Sequence, residues 1–161
     1  VLKILLIGST AVGKSALLLK YCDNTIRNRQ LKSRRDSADL NSDNNNINQL
    51  STTIGIDLKI KLCNVDNKLF KIIMWDTAGQ ERYRTIIPSL YKHSNGILLI
   101  YDITNKKSFL DLKNLWINEC INYNNNHNDT IYFIVGNKRD SVRNEESKRQ
   151  VSYDDLKVFA N

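Results

Sequence analysis

Gly8–Ser15 reads GSTAVGKS and matches the pattern G-x-x-x-x-G-K-S at every fixed position. It follows an apolar run, Leu2 to Ile7, that is broken only by Lys3 and has the length of a buried parallel strand. After it comes Ala16 to Tyr21, which has the pattern of a helix. Because this pattern binds phosphate where it joins a strand to a helix, the sequence predicts a phosphate-binding loop here.

The residue types of this loop suit that role. Its glycines let the backbone wrap around a phosphate, and the loop amides and the helix N-terminus supply positive potential. Lys14 can reach the β- and γ-phosphates, and the Ser15 hydroxyl is placed to ligate Mg²⁺. The loop alone implies a nucleoside triphosphate, so an ATPase or a nucleotide kinase also fits at this point. The predicted nucleotide-binding residues are Ala11, Val12, Gly13, Lys14, Ser15 and Ala16.

A second motif, DTAGQ at Asp76 to Gln80, comes directly after a strand that ends at Trp75. An acidic residue at a strand end faces the phosphate loop, where Asp76 can hold Mg²⁺ through water. Gly79 can offer its backbone amide to a γ-phosphate, and Gln80 can orient an attacking water.

A third motif, NKRD at Asn137 to Asp140, follows a strand that ends at Val135. The carboxylate of Asp140 can accept two hydrogen bonds from guanine, at the ring NH and the exocyclic amine. Adenine presents the wrong pattern and would leave the carboxylate without partners. The motif therefore favours a guanine nucleotide over an adenine nucleotide.

The remaining pattern places these motifs in an α/β fold. Apolar strands alternate with amphipathic helices, apart from one hairpin, which predicts a mostly parallel sheet with helices on both faces and ligands at the carboxyl ends of the strands. The predicted strands are Ile54 to Leu62 and Leu69 to Trp75 (the hairpin), Gly96 to Tyr101 and Ile131 to Val135; the predicted helices contain Phe109 to Cys120 and Val151 to Ala160.

Composition sets limits on the function. The 161 residues fit one domain, and the net charge of +7 is concentrated in two stretches, Arg27 to Arg35 and Lys138 to Arg149. Neither stretch interleaves aromatic with basic residues, so a solvated basic face is favoured over nucleic-acid binding, with attraction to an anionic membrane second. Three widely spaced cysteines indicate reduced core residues rather than a disulfide framework or metal site.

One polar stretch interrupts the pattern. Arg27 to Thr52 has almost no apolar residues and carries three consecutive asparagines at Asn44 to Asn46. Such a segment cannot bury enough surface to offset its ordering entropy, so residues 27–52 are predicted to be disordered.

Taken together, these motifs resemble the Rab family of Ras-like small GTPases. The resemblance rests on the phosphate loop, TIGID at Thr53 to Asp57, WDTAGQERYRT at Trp75 to Thr85, and NKRD at Asn137 to Asp140. It covers nearly the whole of residues 1–161 except 27–52, which would then be an insert in switch I. A weaker hint, from residues 17–21 and 85–89, points to the branch linked to the endoplasmic reticulum and lipid droplets.

The resemblance implies a P-loop NTPase fold and slow hydrolysis of GTP to GDP with Mg²⁺ as cofactor. The catalytic residues would be Gln80, Lys14 and Thr53, and the metal would be held by Ser15, Thr53 and Asp76. Thr53, Ile26, Gly79, Asn137, Lys138 and Asp140 would complete the nucleotide site. Partners would be an exchange factor, a GTPase-activating protein, effectors and an escort or GDP-dissociation inhibitor. The full-length protein would lie on the cytosolic face of intracellular membranes, such as endoplasmic reticulum, Golgi or vesicles, in vesicle-mediated protein transport.

The sequence departs from the family at several points. Ile26 stands where an aromatic ring packs on guanine, and Leu58 and Leu90 replace two aromatics that pack with Trp75, which suggests joint repacking of that cluster. The last strand, the last helix and the prenylated tail are not found before Asn161, so we expect a domain truncated at its C-terminus. The alternative is a nucleotide-bound scaffold that does not hydrolyse GTP because the insert prevents switching.

Overall fold

The carboxyl ends of four strands meet at one edge of a five-stranded sheet. The computed structural model describes residues 1–22, 56–77, 87–124 and 129–160. The sheet order is β2-β3-β1-β4-β5, and every pair is parallel except β2 with β3. The strands are β1 (Leu2–Ile7), β2 (Ile56–Val65), β3 (Lys68–Thr77), β4 (Gly96–Asp102) and β5 (Ile131–Asn137).

A two-residue turn closes the hairpin between β2 and β3. Both turn residues, Asp66 and Asn67, have positive φ, at 49° and 60°. Two successive left-handed residues are what a type I′ turn requires, and asparagine and aspartate tolerate this conformation better than most side chains. The local sequence therefore determines the antiparallel register, which pairs Leu58 with Trp75.

The sheet separates two hydrophobic cores, because successive side chains of a strand point to opposite faces. Leu5 and Ile7 of β1 belong to one core, which also holds Trp116 and Cys120. Leu6 belongs to the other core, which is covered by a helix at residues 14–22, α1. Helices therefore lie on both faces, and the strand order brings the ends of β1, β3, β4 and β5 together at one edge.

The remaining helical elements lie between the strands and after the last strand along the chain. They are α2 (Ile87–Tyr91), α3 (Lys106–Asp111), a π-helical segment (Leu112–Trp116), α4 (Ile117–Tyr123), two 3₁₀ turns (Arg139–Val142 and Glu146–Lys148) and α5 (Tyr153–Ala160). Asn105 caps α3 by accepting a hydrogen bond from the Ser108 amide. Phe109 packs edge-on against Phe159 at a centroid distance of 5.6 Å, which holds α3 against α5.

The structure confirms the predicted α/β fold with a mostly parallel sheet. The strands extend beyond their predicted ends by up to three residues, and α1 begins earlier, at residue 14. The short helix α2, the π-helical segment and the 3₁₀ turns are not apparent from the sequence pattern. The predicted insert, 27–52, lies outside the described residues, so its disorder stays a prediction. Within the described part, no helix is long and apolar enough to cross a bilayer.

The cysteines and the replaced aromatic cluster need separate comment. All three cysteines are free thiols, and burial raises the pKa of Cys120 to about 12. Cys63 is not a core residue as expected, because it lies half-buried on β2 with its Sγ atom 3.6 Å from the Tyr21 hydroxyl. In the expected repacked cluster, Trp75 and Leu90 pack against the first core, whereas Leu58 remains 39% exposed.

Candidate functional site

The phosphate loop leaves the end of β1 in a conformation that only glycine permits at two positions. Gly8 has φ 144°, and a Cβ atom there would lie 2.1 Å from the Ile100 carbonyl oxygen. Gly13 has φ 94°, and its Cβ would lie 2.4 Å from Nδ2 of Asn137. Ala11 also adopts a left-handed φ of 63°, so the loop holds a non-glycine residue in an unfavourable conformation. Glycine is therefore required at both positions because φ is positive and because a Cβ atom would clash with a neighbouring residue.

Lys14, the first residue of α1, folds back over this loop. Its Nζ donates to the carbonyl oxygens of Gly8 at 2.8 Å and Ser9 at 3.0 Å. The side chain is buried, and desolvation lowers the pKa of Lys14 to about 8, although the Asp76 charge acts in the opposite direction. A third N–H of the ammonium remains after these two bonds, because a lysine carries three donors. The loop thus holds a desolvated cation that an anionic phosphate would stabilise.

Ser15 and Asp76 lie in contact beside Lys14. The Ser15 hydroxyl donates to Oδ2 of Asp76, which is buried at the end of β3 next to Thr77. Thr77 Oγ1 donates to the Leu6 carbonyl at 2.8 Å, which fixes the end of β3 against β1. A hydroxyl and a carboxylate are hard oxygen ligands of the kind that Mg²⁺ prefers. Three or more His, Cys, Asp or Glu side chains do not gather into a metal site anywhere in the described ranges.

Asn137 joins the loop after β5 to the phosphate loop. Its Nδ2 donates to the Val12 carbonyl at 2.8 Å, across 125 residues of sequence. This bond fixes the position of the NKRD motif relative to the phosphate loop.

The next two residues of that motif are also placed. Lys138 has a left-handed φ of 64°, and its Nζ lies 2.8 Å from Oδ2 of Asp102 at the end of β4. Burial is the largest single effect on the pKa of Asp102 and would raise it, but hydrogen bonds from Lys138 and Thr104 outweigh it and leave the pKa below its ordinary value. Asp140 lies in the first 3₁₀ turn and is exposed to solvent.

The structure therefore brings together most of the predicted site residues that it describes. Asp76 and Asn137 meet the phosphate loop at the carboxyl edge of the sheet, where the loop contributes Val12, Gly13, Lys14 and Ser15. Ala11 of the loop and Ala16 of α1 are exposed. Lys138 and Asp140 follow in the same loop. Ile26, Thr53, Gly79 and Gln80 lie outside the described residues, so their predicted roles stay predictions.

Comparison with known proteins agrees with this geometry. The model of the Ras family matches residues 37–161 of the chain. The chain belongs to the Ras family. The family match begins inside the stretch interpreted as an insert, so part of that stretch resembles family sequence.

Within the family, the chain is Rab-like. It is 40% identical over 158 residues to the Ras-related protein RABC2b of Arabidopsis thaliana, covering 98% of this chain and 64% of that protein. It is 38% identical over 149 residues to the Ras-related protein Rab-18-B of Danio rerio, covering 92% and 62%. The GTP-binding protein YPT1 of Saccharomyces cerevisiae is 40% identical over 158 residues, covering 98% and 64%. The chain thus spans less than two thirds of the length of these relatives.

Sequence reasoning missed an acidic residue that pairs with Lys138 of the NKRD motif. Asp102 holds the Lys138 ammonium, yet no motif contains it. The available signal was its position, since it is an acidic residue at the carboxyl end of a buried strand, as Asp76 is. The pairing itself depends on the register of β4 with β5, which sets Asp102 opposite Asn137.

The lowered pKa of Lys14 predicts that phosphate binding is coupled to proton uptake. A bound phosphate favours the charged ammonium and so raises the pKa of Lys14 above its value of about 8 in the free protein. The affinity for phosphate is therefore highest below pH 8 and falls as the pH rises through 8. Calorimetric titration with GDP at pH 8.5, in buffers of different ionisation enthalpy, should show uptake of up to about one proton, and less at pH 7.

Lys14→Arg provides the control, because a guanidinium stays charged over this range. Uptake at pH 8.5 should vanish in this variant. Equal uptake by both proteins would show that another group takes up the proton.

Proposed function

We propose that this chain is a Rab-like GTP-binding switch that hydrolyses GTP to GDP in intracellular membrane traffic. The proposal rests on the hydrogen bond of 2.8 Å from Asn137 Nδ2 to the Val12 carbonyl oxygen. It joins a loop suited to guanine to a loop suited to phosphate, so that one nucleotide can contact both. An ATPase would need no carboxylate at Asp140, and the motif NKRD therefore favours the guanine reading.

Base recognition follows from Asp140. Its carboxylate is exposed to an incoming ligand and can accept from both the ring NH and the exocyclic amine of guanine. Lys138, held by Asp102, keeps the backbone of the loop in its left-handed turn just before Asp140. A purine that offers only acceptors at these positions would leave the Asp140 carboxylate without hydrogen bonds, which is unfavourable.

Hydrolysis would be an in-line attack of water on the γ-phosphate. Charge develops on the phosphoryl oxygens in the transition state, and fixed donors that point at this charge lower the barrier. Lys14 would supply such a donor with its remaining N–H, while Gly8 and Ser9 keep the ammonium in place. Gln80 would orient the attacking water, and Gly79 would bind the γ-phosphate through its amide.

The residues beside the loop fit a magnesium ion. Ser15 and Asp76 would hold it, and Thr53 would add a ligand in the GTP state. When bound, the ion would neutralise charge on the β- and γ-phosphates. The switch segments around Thr53 and Gly79 would be ordered by the γ-phosphate and released after hydrolysis.

The role in membrane traffic rests on similarity to Rab proteins. It implies an exchange factor, a GTPase-activating protein, effectors and an escort or GDP-dissociation inhibitor as partners. The same similarity implies attachment to the cytosolic face of a membrane through a prenylated C-terminal tail. The net charge of +7 would assist approach to anionic lipid.

Asp140→Asn tests base recognition. The amide can no longer accept from both guanine donors, but it can donate to the exocyclic oxygen of xanthine. GDP should bind at least about a hundredfold more weakly, and xanthosine diphosphate should bind in its place.

The matched control is Glu145→Gln, which removes one exposed negative charge from the same basic stretch. Competition between the two nucleotides on each variant gives the answer. Unchanged preference for GDP in Asp140→Asn would refute base contact by this residue.

Gln80→Leu tests hydrolysis separately from binding. Leucine cannot orient water, so single-turnover hydrolysis without an activating protein should slow by at least about tenfold, with GTP affinity nearly unchanged. Equal rates in both proteins would remove Gln80 from the mechanism. Absence of hydrolysis already in the parent protein would support the non-hydrolysing scaffold instead.

A further inference from the structure

Ser9, the second residue of the phosphate loop, is tied by its side chain to a distant helix. Its Oγ donates to Oδ2 of Asp111 at 2.8 Å, across 102 residues of sequence. The indole Nε1 of Trp116 lies 3.5 Å from the same Oγ. Trp116 is 2% exposed, whereas Ser9 and Asp111 are half-buried. The phosphate loop is thus attached to the last residue of α3 and the last residue of the π-helical segment.

The π-helical segment explains how both side chains reach one hydroxyl. In an α-helix, residues five apart are rotated by about 140° around the axis and face different directions. A π turn has i→i+5 hydrogen bonds, and here the amide of Ile117 donates to the Leu112 carbonyl. The wider turn brings Asp111 and Trp116 closer to one face, the face that meets Ser9. Such π turns often occur at functional sites.

The tie continues from Ser9 to the lysine of the site. The Ser9 carbonyl accepts from Lys14 Nζ at 3.0 Å, so this one residue is held through its side chain and holds Lys14 through its backbone. Because the Ser9 hydroxyl proton is used for Asp111, the hydroxyl is not a donor to a phosphate. The Asp111 carboxylate makes the bond charge-assisted, and such bonds are stronger than neutral ones.

We propose that Ser9 and Asp111 are positioning residues for the phosphate loop. They hold the Ser9 carbonyl where it aims the Lys14 ammonium at a bound phosphate, and they do so without touching the nucleotide. This inference rests on the proposed function, since it assigns a role in the same nucleotide site. It adds that α3 and the π-helical segment support the phosphate loop from behind, with Trp116 contacting the Ser9 hydroxyl.

The contact between Trp116 and Ser9 can be followed by tryptophan fluorescence. The chain has two tryptophans, Trp75 and Trp116. In a Trp75→Phe parent, emission comes from Trp116 alone, whose Nε1 faces the Ser9 hydroxyl. Occupation of the phosphate loop by GDP should shift this emission, because the Ser9 hydroxyl connects the indole to the loop that takes up the charged diphosphate.

The experiment compares four variants in the Trp75→Phe background of the full chain: Ser9→Ala, Ser9→Thr, Asp111→Asn and, as a matched control, Asp154→Asn, which removes an exposed carboxylate on α5. Release of a fluorescent GDP analogue is measured by chase with unlabelled GDP. Ser9→Ala should release the nucleotide about fivefold to tenfold faster. Ser9→Thr retains the hydroxyl and should restore the parent rate, Asp111→Asn should be intermediate, and Asp154→Asn should match the parent.

The emission shift on adding unlabelled GDP should be lost in Ser9→Ala and kept in Ser9→Thr. A general loss of stability would not separate these two variants in this way. Parent-like release and a retained shift in Ser9→Ala, with tight GDP binding by the parent, would overturn the positioning role alone. Failure of the parent to bind GDP would instead overturn the proposed function on which this inference rests.

Discussion

The hydrogen bond between Asn137 Nδ2 and the Val12 carbonyl is the contact on which the candidate site depends. It connects two loops that leave different strands, and it can form only because β1, β4 and β5 are adjacent and parallel. Gly13 must lack a side chain for the same reason, since a Cβ atom would lie 2.4 Å from that nitrogen. The strand order, the glycine of the motif and the asparagine side chain are therefore parts of one constraint.

A second constraint is electrostatic. Burying the Lys14 ammonium is unfavourable by itself, and its lowered pKa expresses that cost. The Gly8 and Ser9 carbonyls and the nearby Asp76 offset part of it. An incoming polyphosphate would offset more, so the site is built to favour an anion. At the other end of the site, the Asp102 carboxylate pairs with the Lys138 ammonium.

Local patterns in the sequence predicted most of the fold. The apolar run before Gly8, the hairpin that ends near Trp75 and the strand that ends near Val135 all depend on neighbouring residues, and each lies within a few positions of its predicted place. The π-helical segment was not predictable in this way, because the residues from Leu112 to Trp116 have the apolar spacing of an ordinary helix.

For the site, motifs predicted Lys14, Ser15, Asp76 and Asn137, which the structure brings together. The partners outside those motifs, Asp102 and Asp111, were missed because their pairing depends on contacts between distant strands and helices. Half-exposed Leu58 shows the same limit, since its exposure follows from what packs against β2 rather than from its own type.

Recognition of guanine can be measured by calorimetric titration of the unmodified chain with GDP and with ADP, in Mg²⁺ at pH 7. We expect GDP to bind at least about a thousandfold more tightly than ADP, because only guanine satisfies the Asp140 carboxylate while both diphosphates suit the phosphate loop. Equal affinities would contradict guanine recognition, since the loop after β5 would then contribute nothing to binding of the base.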